Sequence, residues 1–319
     1  MKKVVFIYGG GDRVKDTFCK NIPAGFEVVC LPKEASDADK TSALAEAEYL
    51  VLHPAVIADE LLQKSSKLKL VQLLTAGFDK MNIGLCKEKG IMVATNGGAN
   101  SWSVAEHSVA LLLGVYRRIV DCDKATRAGF WRKPIPEFTQ FEIAGKTVAV
   151  LGAGNIGRRA AKRYKAFDAD ILYYDVAVSE YMEKELGAKK ATIEEIARTA
   201  DVISIHLPLF DSTRGIIGKK EFDLMKPEMV IINTGRAEII DESALVEALQ
   251  QKKIMAAGLD VFHEEPINLD NPLLKMDNVL LSPHMAGHSS EGWTRRCAIA
   301  WENIQLIAKG EVPKSQLKL

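Results

Sequence analysis

Along this chain, short apolar runs rich in β-branched residues alternate with stretches of helical spacing or polar loop. In the first third these runs are residues 4–8, 27–31, 49–52, 70–74 and 91–94. Each is too short for a stable helix and apolar almost throughout, as expected of a strand buried on both faces. Strands separated by helical stretches predict a parallel sheet with helices on its two faces. A long helix is then predicted from Ser103-Val-Ala-Glu106, a capping box in which each side chain satisfies an N–H at the other's end. Val104, Ser108, Leu111, Leu112, Val115 and Ile119 keep a helical period toward Cys122, and this helix reads as a crossing element between two lobes.

A second strand–helix series opens at 147–151 and continues through 171–174, 202–206, 230–232, 257–259 and 279–281. A last helix signal follows Ser289 and runs through Trp301 to about Lys309. With no strand left to cross to, it is expected to return to the first lobe. The expected fold is therefore α/β, with two doubly wound, Rossmann-like parallel-sheet domains and a cleft between them. One domain would comprise 1–99 and 286–319, the other 100–285. Residues 131–137 (Trp-Arg-Lys-Pro-Ile-Pro-Glu) read as an exposed connection.

The second series opens on chemistry. Leu151-Gly-Ala-Gly-Asn-Ile-Gly157 satisfies G-x-G-x-x-G directly after an apolar run, and Asp175 closes the next run at 175 − 152 = 23 residues from the first glycine. The dinucleotide fingerprint asks for a gap of about 20. Gly152 permits the tight turn, Gly154 admits a pyrophosphate to the backbone, and Gly157 permits close packing of helix on strand. The N–H groups near Asn155 and Ile156 would face the phosphates at the positive end of the helix. Asp175 would accept from the ribose hydroxyls and repel a 2′-phosphate. Val176 follows it rather than Arg or Lys, so the expected cofactor is NAD rather than NADP.

Length and composition narrow the partners. A chain of 319 residues is long for one core and comfortable for two. Lys+Arg and Asp+Glu stand at 42 each, so no net charge recruits nucleic acid or an anionic membrane. The pairs Arg117-Arg118, Arg158-Arg159 and Arg295-Arg296 read as solvated helix faces. Five cysteines, odd in number and without C-x-x-C spacing, point to a reduced, cytoplasmic chain. Among them, Cys86 and Cys297 read as packing thiols. The apolar start of the chain stops at Gly9-Gly-Gly11, too short for a signal peptide, and no run approaches a membrane span.

Three loops lie just past strand ends of the second series, where open α/β sheets bind ligands: Asn233-Thr-Gly-Arg-Ala237, Asp260-Val-Phe-His-Glu-Glu-Pro266 and Ser282-Pro-His-Met-Ala-Gly287. Hydride transfer to a ketone needs a proton donor for the carbonyl oxygen, and His284 suits that role near neutral pH. A carboxylate, Glu265, would orient the ring and favour the imidazolium. A planar guanidinium, Arg236, would hold the carbonyl and a neighbouring carboxylate. His284 and His288 are four apart, a spacing that on a helix could clasp zinc. Pro283 and Gly287 interrupt a helix there and no glutamate follows His284, so no metal is expected. His107, His206 and His263 read as structural or surface residues.

These motifs resemble the D-isomer-specific 2-hydroxyacid dehydrogenases, and the likeness also takes in Thr75-Ala-Gly-Phe-Asp79 and residues 100–107. The resemblance implies that Arg236 binds and polarises a small 2-oxo acid such as glyoxylate, hydroxypyruvate or pyruvate. It implies that His284 is the acid/base and that Glu265, which precedes the proline, is its partner. It further implies that Thr234, Gly235, Arg236, Asp260, His284 and Gly287 face the nicotinamide half, and that Leu207-Pro208 borders the cofactor. Backbone N–H groups of Ala76-Gly77 would meet the substrate carboxylate. His53 stands where members of the family often place a specificity residue, and reads equally as pocket wall or neutral loop. Glu265 departs from the formate-oxidising branch, which carries glutamine, and the chain stops at Leu319 without the regulatory module of many 3-phosphoglycerate dehydrogenases. The resemblance also implies a homodimer, with Phe130 and Trp131 expected at or near its interface. A second reading is a non-catalytic, NAD-sensing protein like the C-terminal-binding-protein corepressors; the lack of long tails on this chain favours the enzyme.

Overall fold

The computed structural model describes residues 1–131 and 140–317. The expected connection at 131–137 lies outside them except for Trp131. The chain forms two compact units, Met1–Asn100 with His288–Leu319, and Ser101–Gly287.

The first unit holds β1 (Lys2–Tyr8), β2 (Phe26–Pro32), β3 (Tyr49–His53), β4 (Leu70–Leu73) and β5 (Met92–Ala94). They form one parallel sheet in the order β2-β1-β3-β4-β5. Side chains alternate between its faces, and both faces are covered. Val5, Ile7, Leu50, Leu52, Val71 and Leu73 enter one cluster; Val4, Phe6, Tyr49, Val51 and Leu70 enter the other. That is why the strands read as unbroken apolar runs. The second cluster is closed by the helix Ser290–Ala308, whose Trp301 stacks on Phe18 at 4.7 Å and donates from Nε1 to the Phe18 carbonyl at 2.9 Å. Asn303, buried on the same helix, donates from Nδ2 to Gln72 Oε1 at 2.7 Å, while its Oδ1 meets no hydrogen-bond partner among the described residues. Ser289 caps the helix by accepting from Gly292 N–H at 2.9 Å.

The second unit holds β6 (Thr147–Leu151), β7 (Asp170–Tyr174), β8 (Lys189–Lys190), β9 (Val202–Ile205), β10 (Val230–Asn233), β11 (Ala256–Leu259) and β12 (Val279–Leu281). All are parallel, in the order β12-β11-β10-β9-β6-β7-β8. Strand order reverses beside β6, which makes its C-terminal end the switch point of the sheet.

Several expectations need correction. The long helix starts at Ser101, not at a cap on Ser103, and Ser103 is buried within its first turn. It also ends at Arg117: Arg118 is left-handed (φ 49°, ψ 43°), held by Asp121 and by the Asp277 carbonyl, and a separate helix runs Ile119–Arg127. Ser101–Arg117 lies on the second sheet, where a side chain at Gly258 would come within 3.1 Å of Leu111 Cβ. Arg296, read as solvated, is buried, with its guanidinium 4.6 Å from the Trp293 ring. Arg159 likewise lies over Trp102 at 3.8 Å.

Candidate active site

The glycine turn sits between β6 and the helix Asn155–Lys165, at the switch point. Gly152 has φ +100°, and a Cβ there would stand 2.7 Å from the His206 carbonyl oxygen. At Gly157 a Cβ would fall 1.8 Å from the Gly152 oxygen, so the helix can approach the strand only with glycine there. Gly154 differs: a Cβ on it would meet nothing within 4 Å, leaving open space at the turn. No side chain caps the helix, and its first turn carries no acid, so Asn155 and Ile156 open a free positive helix end. Asp175 follows β7 directly, and its Oδ2 accepts from Ala153 N–H at 2.7 Å. The acid therefore stands beside the glycine turn. This open cradle fits a dinucleotide phosphate with the ribose acid next to it.

His206 and Leu207 follow β9. The His206 ring lies 2.9 Å from Ser204 Oγ, which contacts Tyr164 Oη at 3.1 Å, and burial pushes its pKa down to about 3. It is a neutral packing group here. Leu207 is buried beside the turn and Pro208 follows it.

The next strand end is clamped by a residue whose role the sequence did not reveal. Asn233, buried at the end of β10, accepts from Gly235 N–H at 3.0 Å and donates to the Arg236 carbonyl at 2.9 Å. One side-chain amide thus fixes the Thr234-Gly235-Arg236 turn. Thr234 Oγ1 is buried and meets no hydrogen-bond partner among the described residues. An orphaned hydroxyl at the end of this sheet suits a polar cofactor group. Arg236 itself donates to the Gly235 carbonyl at 2.9 Å.

On the adjacent strand ends, His284 Nδ1 donates to Glu265 Oε2 at 2.8 Å. Glu265 is held in turn, its Oε1 accepting from Phe262 N–H at 3.1 Å. With Nδ1 engaged, Nε2 is the ring nitrogen left for proton exchange, and the ring is about half exposed. His284 takes a positive φ of 55°, uncommon for a side chain of this size. The loop that imposes it is tied to Asp260, which is fully buried and accepts from Met285 N–H and Ala286 N–H at 2.8 Å each and from Ser282 Oγ. Ser282 Oγ gives its proton to Asp260, so His107 Nε2, 2.8 Å away, donates to it. His107 read as structural and is here part of the scaffold of the His284 loop. His263 donates to the Ile240 carbonyl at 3.0 Å.

In the first unit, Ala76 and Gly77 form the turn after β4, where Thr75 Oγ1 donates to the Gly77 carbonyl at 2.8 Å. His53 ends β3; its Nδ1 donates to the Gly9 carbonyl at 3.2 Å, its ring lies 4.7 Å edge-on to Trp293, and burial pushes its pKa down to about 4. Gly287 closes the second unit. Among the described residues no group of three or more His, Cys, Asp or Glu is placed to hold a metal, and no helix is long and apolar enough to cross a membrane.

Residues 109–286 match the family model for the D-isomer specific 2-hydroxyacid dehydrogenase NAD binding domain. The chain is 39% identical over 274 residues to a glyoxylate reductase of Aeropyrum pernix, covering 84% of this chain and 82% of that one. It is 38% identical over 251 residues to a D-3-phosphoglycerate dehydrogenase of Archaeoglobus fulgidus, covering 79% of this chain but only 47% of the relative. The fold superposes on the apo D-lactate dehydrogenase of Escherichia coli with a TM-score of 0.86 at 27% identity, covering 100% of each chain. With the glycine cradle, the ribose acid and these likenesses together, the chain belongs to the D-isomer specific 2-hydroxyacid dehydrogenases, and is an NAD-dependent enzyme of that family.

Proposed function

We propose that this enzyme reduces small 2-oxo acids, of the size of glyoxylate, hydroxypyruvate or pyruvate, reversibly to D-2-hydroxy acids. The observation that carries the reading is the His284–Glu265 pair at 2.8 Å on strand ends adjacent to the Arg236 turn. The bound nicotinamide supplies or accepts the hydride. His284, protonated, gives a proton from Nε2 to the carbonyl oxygen of the oxo acid and recovers it in the reverse direction. Glu265 fixes the ring through Nδ1 and favours the imidazolium. Arg236 holds the oxo acid by paired donors and draws electron density from its carbonyl.

The cofactor contacts in this reading are Gly152, Gly154, Asn155, Ile156 and Gly157 for the phosphates, Asp175 for the ribose, and Leu207-Pro208 along the way. Thr234, Gly235, Arg236, Asp260, His284 and Gly287 serve the nicotinamide half. Ala76, Gly77 and His53 are the substrate contacts assigned to the first unit. The working form is a homodimer in the cytoplasm; support comes from Phe130 and Trp131, which are 57% and 73% exposed, and from five free cysteines. A panel of 2-oxo acids followed by NADH absorbance tests the reading. Turnover of at least one small 2-oxo acid is expected, with the D-hydroxy acid as product; no turnover of any, or an L-product, overturns it.

A further inference from the structure

Two cysteines far from the strand-end chemistry in sequence meet in the first unit. Cys19 closes the helix Asp12–Cys19, Cys30 lies on the edge strand β2, and their sulfurs are 3.3 Å apart. Ten residues separate them in the chain. Both thiols are half-buried at the rim of the cluster built on Phe6, Phe18 and Trp301. Cys86 and Cys297 are buried, and Cys122 donates to the Arg117 carbonyl. From contact at 3.3 Å, a covalent bond of about 2.05 Å requires the sulfurs to close by roughly 1.3 Å.

We propose that Cys19 and Cys30 form a peroxide-reactive dithiol, a site at which this protein is reversibly oxidised to an internal disulfide. The roles are unequal. Burial and the hydrogen bond to Cys19 push Cys30 up to about 12, so Cys30 keeps its proton and offers it to the Cys19 sulfur. Lys15, one helical turn before Cys19, lies near the pair but is engaged by Asp12 at 2.7 Å, and Asp16 adds an opposing negative charge. Cys19 is the attacking sulfur. As thiolate it attacks one peroxide oxygen; the O–O bond breaks, one water departs after protonation, and Cys19 becomes a sulfenic acid. Cys30 then loses its proton and attacks Cys19 Sγ; the S–O bond breaks, a second water departs, and the S–S bond forms. In balance, two thiols and one hydrogen peroxide give one disulfide and two waters. The sulfurs lose two electrons and the peroxide gains them.

The test is mass spectrometry on the intact, reduced chain after brief exposure to hydrogen peroxide, with thiols alkylated before digestion. The expected result is a fall of about 2 Da, a drop in free thiols from five to three, and a Cys19–Cys30 linked peptide that dithiothreitol releases. Cys30→Ser should accumulate Cys19 as a sulfenic acid trapped by dimedone, whereas Cys19→Ser should leave Cys30 unmodified under the same dose. Five thiols remaining in the wild type, oxidation spread over Cys86, Cys122 or Cys297, or linkage only between chains would overturn the proposal. So would dimedone labelling of Cys30 in place of Cys19.

Discussion

The two units open on the same construction: a first strand, a glycine-rich turn, a helix, and a second strand paired beside the first. In the second unit the turn is Gly152–Gly157, the helix starts without an acid, and Asp175 follows the paired strand. In the first unit the turn is Gly9-Gly-Gly11, the helix starts on Asp12, and Lys33 follows the paired strand. The charges of a phosphate cradle are reversed there. Asp12 puts negative charge at the helix end where a phosphate needs positive, and Lys33 stands where a ribose acid would be. The space at the helix start is alike, since a Cβ at Gly11 or at Gly154 would meet nothing within 4 Å, so the charges set the two turns apart. In the proposed reading one unit carries the cofactor turn and the other does not, because function lies in side chains placed at strand ends rather than in the sheet.

The largest effect separating the two units is expected at His284. Replacing it with alanine should lower kcat by about 10²–10⁴-fold, the range for a lost general acid, with NADH affinity kept. Turnover like the wild type would remove the second unit's acid/base assignment. Next come matched substitutions in the two turns. Gly152→Ala, whose Cβ would stand 2.7 Å from a carbonyl oxygen, should weaken NADH binding by about tenfold or more, read by fluorescence titration. Gly11→Ala, with φ +85° but nothing within 4 Å, should leave it within about twofold. Equal losses would mean the two turns are not functionally distinct. A smaller effect is expected at the ribose acid: Asp175→Ala should narrow the preference for NADH over NADPH by about tenfold, measured as a ratio of kcat/KM. An unchanged ratio would place the discrimination elsewhere.

The smallest effect concerns acid stability, to which each unit contributes one half-buried histidine. Burial holds His206 at about 3 and His53 at about 4, both below the ordinary value near 6.5. The unfolded chain therefore takes up protons at a pH where the folded chain does not. Stability from these groups is complete above about pH 6.5 and declines as pH falls toward those lower values. The urea midpoint should drop between about pH 7.5 and pH 5, and His206→Gln should flatten that drop. A midpoint constant over this range contradicts the burial argument.

Much of the contrast was legible in the sequence because rare residue types at fixed spacing carry it. The glycine turn, Asp175, Arg236, Glu265 and His284 were picked out from motif and strand ends, and most strands begin or end within a residue of the apolar runs. Strand β8 was not legible, since two exposed lysines carry no apolar signal. The break at Arg118 was hidden for a similar reason: arginine does not announce a left-handed turn, and the contacts that hold it come from Asp121 and Asp277. Arg295 and Arg296 look alike as a pair, yet neighbours on a helix point about 100° apart, and Arg296 turns inward. The His107–Ser282–Asp260 chain depends on residues distant in sequence meeting in space, whereas the Asn233 clamp is local, reaching Gly235 and Arg236.

What sets the second unit apart most sharply is the proposed acid/base pair at its strand ends, His284 on Glu265. The pH–rate profile of Glu265→Gln for oxo acid reduction reads that pair directly. Glutamine keeps the shape but removes the anion that favours the protonated ring, so the profile should move to lower pH and the rate near neutral pH should fall. A profile superimposable on the wild type would contradict this assignment, leaving Glu265 as a structural support and His284 without its partner.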